Sequence, residues 1–214
     1  MELNQYIDHT LLKATATPSD IQKLCTEAIE HSFCAVCVSP CYVSVAKNAL
    51  QGTKVKVCTV IGFPLGQNTT ETKVFEAKNA IENGADEIDM VINIGAVLSG
   101  NYDYVSNEIT AVRDITNGKI LKVIIETCYL NREQIEKLTQ LSVASRADFI
   151  KTSTGFGTRG ASIDDIKAMV AIAHNAIEIK ASGGIKTKGF AEELISLGAT
   201  RIGTSSGVAL VSKE

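Results

Sequence analysis

Short β-rich runs alternate along the chain with stretches whose apolar residues recur at helical spacing. The runs fall at about Tyr6–His9, Cys34–Ser39, Val55–Ile61, Glu87–Asn93, Leu121–Thr127, Asp148–Ser153, Ile177–Ser182 and Thr200–Thr204. After the first, Thr17 is placed to cap a helix with Pro18 at its first position. Ile21, Leu24, Cys25, Ala28 and Ile29 then form one apolar stripe. After the third, Asn68 and Glu71 predict a capping box, Val74, Ala77 and Ile81 share a face, and Gly84 is set to end the helix. Further helices are predicted near Tyr42–Leu50, Asn101–Thr116, Arg132–Ala144, Ile163–Asn175, Lys188–Leu197 and Ser206–Val211. Strands alternating with helices imply parallel pairing through right-handed crossovers. Eight such units close into a (β/α)8 TIM barrel, with a doubly wound open sheet as the alternative. Residues 1–214 are expected to form a single barrel domain with lean loops, since the fold typically takes about 250 residues.

The alternation within the strands changes this picture from a fold to a site. In a barrel, one parity faces the helices and the other faces the interior. Ile88, Met90 and Ile92 are the apolar set of their strand, which leaves Glu87, Asp89, Val91 and Asn93 inward. Leu121, Val123 and Ile125 leave Lys122, Ile124 and Glu126 inward. Lys151 shares parity with Phe149, and Lys180 opposes Ile177, Ile179 and Ala181. Asp89, Lys122, Glu126, Lys151 and Lys180 are therefore expected to project into one interior, several of them near the carboxyl ends of their strands. Such groups are rarely buried unless paired, and strand carboxyl ends are where barrel enzymes place their chemistry. One reading is a structural ion network that plugs the barrel; the other is a catalytic set.

A protonated lysine is a poor nucleophile, but burial and a second ammonium nearby both disfavour its charge. Two like charges ~4 Å apart at an effective dielectric of ~20 repel by ~4 kcal/mol, equal to ~3 pKa units. Lys151 and Lys180 lie on adjacent predicted strands, so one can form an imine while the other keeps it deprotonated. Asp89 supplies a carboxylate for proton transfer, directly or through one water. This trio points to Schiff-base chemistry on an aldehyde, with no metal or other cofactor. Ser182-Gly183-Gly184 and Gly203-Thr204-Ser205-Ser206-Gly207 end the last two strands. In barrels the loops there often hold phosphate.

Composition narrows the class. The net charge of −3 gives no basic footprint for nucleic acid, and no run approaches the ~20 apolar residues of a membrane span. Met1–Gln5 carries an early acid and no apolar run, so no signal peptide is expected. The six cysteines, Cys25, Cys34, Cys37, Cys41, Cys58 and Cys128, are expected to be reduced thiols, which points to the cytoplasm. Cys34 and Cys37 are three apart on a strand and point to opposite faces, so they do not grip one ion. No Cys-Cys or Cys-His pair elsewhere in the sequence completes a tetrahedral set.

The motifs Asp8-His9-Thr10-Leu11-Leu12-Lys13, Gly62-Phe63-Pro64-Leu65-Gly66, Glu87-Ile88-Asp89-Met90-Val91, Lys122-Val123-Ile124-Ile125-Glu126-Thr127, Phe149-Ile150-Lys151-Thr152-Ser153-Thr154-Gly155, Lys180-Ala181-Ser182-Gly183-Gly184 and Gly203-Thr204-Ser205-Ser206 occur in that order. Through them the chain resembles the deoxyribose-phosphate aldolase family from end to end. The resemblance implies a (β/α)8 barrel and a class I lyase. The implied reaction is reversible cleavage of 2-deoxy-D-ribose 5-phosphate to acetaldehyde and D-glyceraldehyde 3-phosphate, in deoxynucleoside breakdown. It implies Lys151 as the Schiff-base lysine, Lys180 as the lysine that lowers its pKa, and Asp89 as the acid/base acting through water. Gly183, Gly184, Gly203 and Ser205 are implied phosphate contacts, and Asp8 and Thr10 fall near the site. A homodimer is expected, because closely related barrels often dimerise. Phe156 stands where some relatives have a lysine that helps hold phosphate, which shifts that task toward backbone amides and Lys186. The sequence after Val211 is shorter than the tail of some relatives, so no tail is assigned a part in closing the site.

Overall fold

The structure is a computed structural model and describes residues 2–212. Eight strands close into one parallel barrel in chain order: β1 (Ile7–Leu11), β2 (Ala35–Val38), β3 (Lys56–Ile61), β4 (Glu87–Val91), β5 (Ile120–Ile124), β6 (Phe149–Lys151), β7 (Glu178–Ser182) and β8 (Arg201–Thr204). The barrel shuts where Asp8 of β1 pairs with Gly203 of β8. The helices are α1 (Pro18–Glu30), α2 (Val43–Ala49), α3 (Thr70–Glu82), α4 (Ile94–Leu98), α5 (Tyr102–Ile115), α6 (Arg132–Ala144), α7 (Ile163–Ala173), α8 (Lys188–Ser196) and α9 (Gly207–Val211). The closed ring excludes the open-sheet alternative.

Local chemistry fixes the helix starts. Thr17 caps α1 and forms a reciprocal box with Asp20, with Pro18 following it. Asn131 and Gln134 do the same for α6. At α3 the cap is Thr69, which accepts from the Thr72 amide, so the predicted Asn68–Glu71 box is one residue out of register. The helix buries Lys73, Ala77 and Ala80, while Val74 and Ile81 are half-buried. Its buried face holds an ion pair the periodicity did not show, Lys73 Nζ to Glu108 Oε2 of α5 at 2.6 Å, both side chains fully buried. Gly84 ends α3 as expected, with a left-handed φ of 104°. Helix α4, separated from β4 by two residues in a Gly-containing stretch, is not among the predicted helices.

The outward faces of the strands, among them Ile88, Met90, Leu121, Val123, Ile150, Ile179 and Ile202, pack under the helices as the main core. The interior is divided. Ala35, Cys37, Cys58 and Val60 make a small apolar cluster on β2 and β3. The remaining strands fill the interior with charge.

Candidate active site

Strand pairing brings the predicted residues together. Lys151 and Lys180 are direct register partners on β6 and β7, and Asp89 is paired with Lys122 across β4 and β5. Adjacent strands lie about 4.8 Å apart, so these side chains must meet. Asp89 is the hub. Its Oδ2 accepts from Lys151 Nζ at 2.7 Å and from Lys180 Nζ at 2.7 Å. Its Oδ1 accepts from Lys122 Nζ at 2.8 Å and from the Cys58 thiol at 3.1 Å. Lys180 also donates to Asp8 Oδ2 at 2.5 Å.

Two further members join it: Glu87, inward by the alternation of its strand, and Arg201, which the sequence reading did not single out. Arg201 donates to Asp8 Oδ1 at 2.7 Å and to Glu87 Oε2 at 3.0 Å, and Lys122 donates to Glu87 Oε2 at 2.5 Å. Arg201 shares the parity of Gly203 on β8 and Glu87 that of Asp89, so alternation alone was signal enough. Phe149 closes the lower end, with Arg201 and Lys122 over its ring. Asp8 lies within β1, and Thr10 Oγ1 donates to the Asp8 carbonyl at 2.8 Å. His9 faces the opposite way, toward α1, where its Nε2 meets Glu27 at 2.7 Å.

The cluster therefore holds four cationic side chains, Lys122, Lys151, Lys180 and Arg201, against three carboxylates, Asp8, Glu87 and Asp89. All are nearly or fully buried. Burial works to raise the Asp89 carboxyl, but Lys122, Lys151 and Lys180 outweigh it and hold it well below the usual carboxylate range. Asp8 is likewise held low, against burial, by Lys180, Arg201 and Lys122. Burial works to lower Lys180 and Lys122, yet the facing carboxylates keep both ammonium groups above the ordinary lysine value. Lys122, Lys180 and Arg201 already match the three carboxylates in number. Lys151 has one carboxylate partner and shares it with Lys180.

Lys151 is also the member that opens onto a cavity of about 310 Å³ at the carboxyl ends of the strands. Thr154, Gly155, Phe156, Ser182 to Lys186 and Gly203 to Ser206 line one part of it, and Thr10 to Lys13 the other. Gly183, Gly184, Gly203 and Ser205 thus surround the same space as Lys151. Among the described residues the lining carries three lysines, Lys13, Lys151 and Lys186, and no carboxylate. Gly203 has a second task, since a Cβ there would come within 3.1 Å of Lys180 Cε and 2.9 Å of Ser182 Cβ. Phe156 stands half out of the cavity rim, edge-on to Phe63 at 5.4 Å between ring centroids. Glu126 does not join the cluster. It follows β5 in the left-handed region, φ 52°, which breaks the alternation, and its carboxylate turns to Thr154.

Cys37 and Cys58 are register partners on β2 and β3, a juxtaposition invisible in their sequence spacing. Their sulfurs and an Asp89 oxygen lie within 4.8 Å of one another, a geometry that three metal ligands can share. Lys122 Nζ, however, is 3.4 Å from Cys58 Sγ, and three ammonium groups already occupy Asp89. An entering dication would displace or face them at hydrogen-bond range.

A sequence profile described as DeoC/LacD family aldolase matches residues 3–213. A deoxyribose-phosphate aldolase of Finegoldia magna is 56% identical over 211 residues, covering 99% of each chain. One of Ureaplasma parvum is also 56% identical, over 99% of this chain and 98% of its own. Among solved structures, the tetrameric deoxyribose phosphate aldolase of Aeropyrum pernix superposes with a TM-score of 0.90 over 97% of this chain and 88% of that one, at 34% identity. With a closed parallel barrel beneath it and similarity running nearly from end to end, this chain belongs to the DeoC/LacD family of aldolases.

Proposed function

We propose that the protein is a class I aldolase that reversibly cleaves 2-deoxy-D-ribose 5-phosphate to acetaldehyde and D-glyceraldehyde 3-phosphate through an imine on Lys151. One observation carries this reading: of the four cationic side chains in the barrel, only Lys151 reaches the cavity. The free amine of Lys151 adds to the aldehyde carbon of the open-chain sugar. The carbinolamine loses water as it takes a proton, and a cationic iminium forms. Removal of the C3 hydroxyl proton then breaks the C2–C3 bond, whose electron pair flows into the iminium to give an enamine. D-Glyceraldehyde 3-phosphate leaves, the enamine takes a proton at C2, and water releases acetaldehyde and the amine.

In this scheme Lys180 is the permanent cation that disfavours a charge on Lys151. Asp89 supports both as a shared anchor and passes protons to and from the reacting groups through water. As an independent base it is weak, because three ammonium groups hold it ionised. Gly183, Gly184, Gly203 and Ser205 take the phosphate, with Lys186 and Lys13 supplying charge. Neither of those lysines forms an ion pair among the described residues. Phe156 supports the view that phosphate recognition rests on that side, not on the loop after β6.

We also infer a homodimer working in the cytoplasm. Exposed Leu65, Phe75 and Leu98 favour a partner surface, and six unpaired thiols favour a reducing compartment. Light scattering tests the assembly, with the tetramer of the Aeropyrum relative as the competing outcome. No helix among the described residues is long and apolar enough to cross a membrane.

The decisive experiment is borohydride reduction with acetaldehyde, followed by peptide mapping. The adduct is expected on Lys151, and Lys151→Leu should lose both adduct and turnover. An active Lys151→Leu variant would overturn the assignment. Release of acetaldehyde, and not pyruvate or dihydroxyacetone phosphate, separates this activity from other sugar-phosphate lyases.

A further inference from the structure

We infer that Glu126 is a positioning residue that acts through Thr154 to set the wall between the imine lysine and the phosphate-binding glycines. The inference rests on the aldolase reading above. Glu126 has two costly features at once. Its backbone is left-handed, φ 52° and ψ 66°, a conformation a side chain adopts only under compulsion. Its carboxylate is buried, 2% exposed, and no cation pairs with it among the described residues. Both hydrogen bonds it accepts come from one residue. The Thr154 amide donates to Oε1 at 3.2 Å, and the Thr154 hydroxyl donates to Oε2 in a shorter bond. With its proton committed, Thr154 Oγ1 accepts from the Phe156 amide at 3.0 Å. One carboxylate thereby fixes residues 154 to 156, all of which line the cavity just beyond Lys151.

The other side of this segment is as tightly held. A Cβ on Gly160 would come within 2.0 Å of the Gly183 carbonyl oxygen, and one on Gly183 within 3.4 Å of Gly155 Cα. The Ala161 amide donates to the Ser182 carbonyl at 3.0 Å. Behind it, a Cβ on Gly157 would strike Cys128 Sγ at 2.6 Å and Glu126 itself at 3.2 Å. The segment is thus a thin wall between Glu126 and Gly183, and a shift of Thr154 is passed to the phosphate side.

Acetaldehyde needs only Lys151, whereas the phosphorylated sugar must reach from Lys151 to the glycines. Loosening the wall should therefore hurt the long substrate alone. Glu126→Gln keeps the size but replaces one accepting oxygen with an amide that cannot accept. Its kcat/KM for 2-deoxy-D-ribose 5-phosphate should fall at least about tenfold, mainly through KM, while borohydride trapping of acetaldehyde stays within about twofold of the parent. Thr154→Val should match it, Thr154→Ser should restore most of the loss, and Glu126→Gln/Thr154→Val should be no worse than the poorer single variant. Additive losses, an unchanged Glu126→Gln, or trapping and cleavage falling in parallel would each overturn the inference. If Glu126→Gln does not fold, the Thr154→Val and Thr154→Ser pair decides in the same way. Absence of any adduct on the parent enzyme would instead defeat the aldolase reading.

Discussion

Replacing Lys180 with methionine tests the charge balance directly. The side chain is fully buried and of similar length, so the substitution removes a cation with little change in volume. In the parent, four cationic groups face three carboxylates, and the excess disfavours the charge on one of the four. In the variant, Lys122, Lys151 and Arg201 face Asp8, Glu87 and Asp89, and balance holds with every lysine protonated. Lys151 and Lys180 each lie 2.7 Å from the same Asp89 oxygen, so their nitrogens are no farther apart than twice that distance. Two ammonium groups about 5 Å apart at an effective dielectric of about 20 repel by roughly 3 kcal/mol. Losing that repulsion lowers the population of free amine by roughly two orders of magnitude near neutrality. Asp89 keeps Lys122 and the Cys58 thiol, and Asp8 keeps Arg201, so the fold should survive. The assay is the rate of borohydride-trapped acetaldehyde on Lys151 across pH. Trapping by Lys180→Met should drop about a hundredfold at neutral pH and recover as the solution is made alkaline. A loss of equal size at every pH, or no loss at pH 7, would refute the balance argument and leave Lys180 a purely structural residue.

Three further outcomes follow from the same geometry. Lys186→Ala and Lys13→Ala should each raise KM for the 5-phosphate several-fold and leave KM for unphosphorylated deoxyribose unchanged, since exposed cations contribute through charge alone. Asp8 and Asp89 are held below the ordinary carboxylate value of 3.8, so the unfolded chain binds more protons than the native one as the solution is acidified. Their stabilising contribution is present above about pH 4 and lost below it; thermal melts from pH 5 down to pH 3 should show a falling midpoint, and Asp8→Asn should flatten that slope. Gly160→Ala should lower affinity for the phosphorylated substrate, because its Cβ meets the Gly183 carbonyl oxygen at 2.0 Å and one of the two segments must move.

The sequence made the barrel legible because alternation and helical periodicity report burial, and burial is what the fold imposes on each strand and helix. It also exposed Asp89, Lys151 and Lys180, since a charge on an inward parity has few explanations. Glu126 was misplaced because alternation holds only while the backbone is extended, and its left-handed φ lies two residues beyond the strand. The Lys73–Glu108 pair was hidden for a different reason: a long cation can lie in a helix's buried face, and periodicity sees only its polarity.

Glu87 and Arg201 show what closure adds. Each stands at the amino end of its strand, away from the carboxyl ends where barrels place their chemistry. Glu87 meets Lys122 across the β4–β5 pair, and only when β8 returns to β1 does Arg201 reach Asp8, beneath Lys151 and Lys180. The reading of a structural plug and the reading of a catalytic set then cease to compete. Lys122 and Arg201 with Glu87 and Asp8 form the plug; Lys151 and Lys180 form the layer above it, proposed to be reactive; Asp89 touches both. Because Lys122 fixes Asp89 Oδ1 from below, Oδ2 is left at one position for the two lysines above, and the register pairing of Lys151 with Lys180 brings both to it. The surplus cation of the cluster thereby lies in the layer that opens to the cavity. A plug without Arg201 would hold three lysines against three carboxylates, and the surplus would vanish even with Lys151 and Lys180 in place.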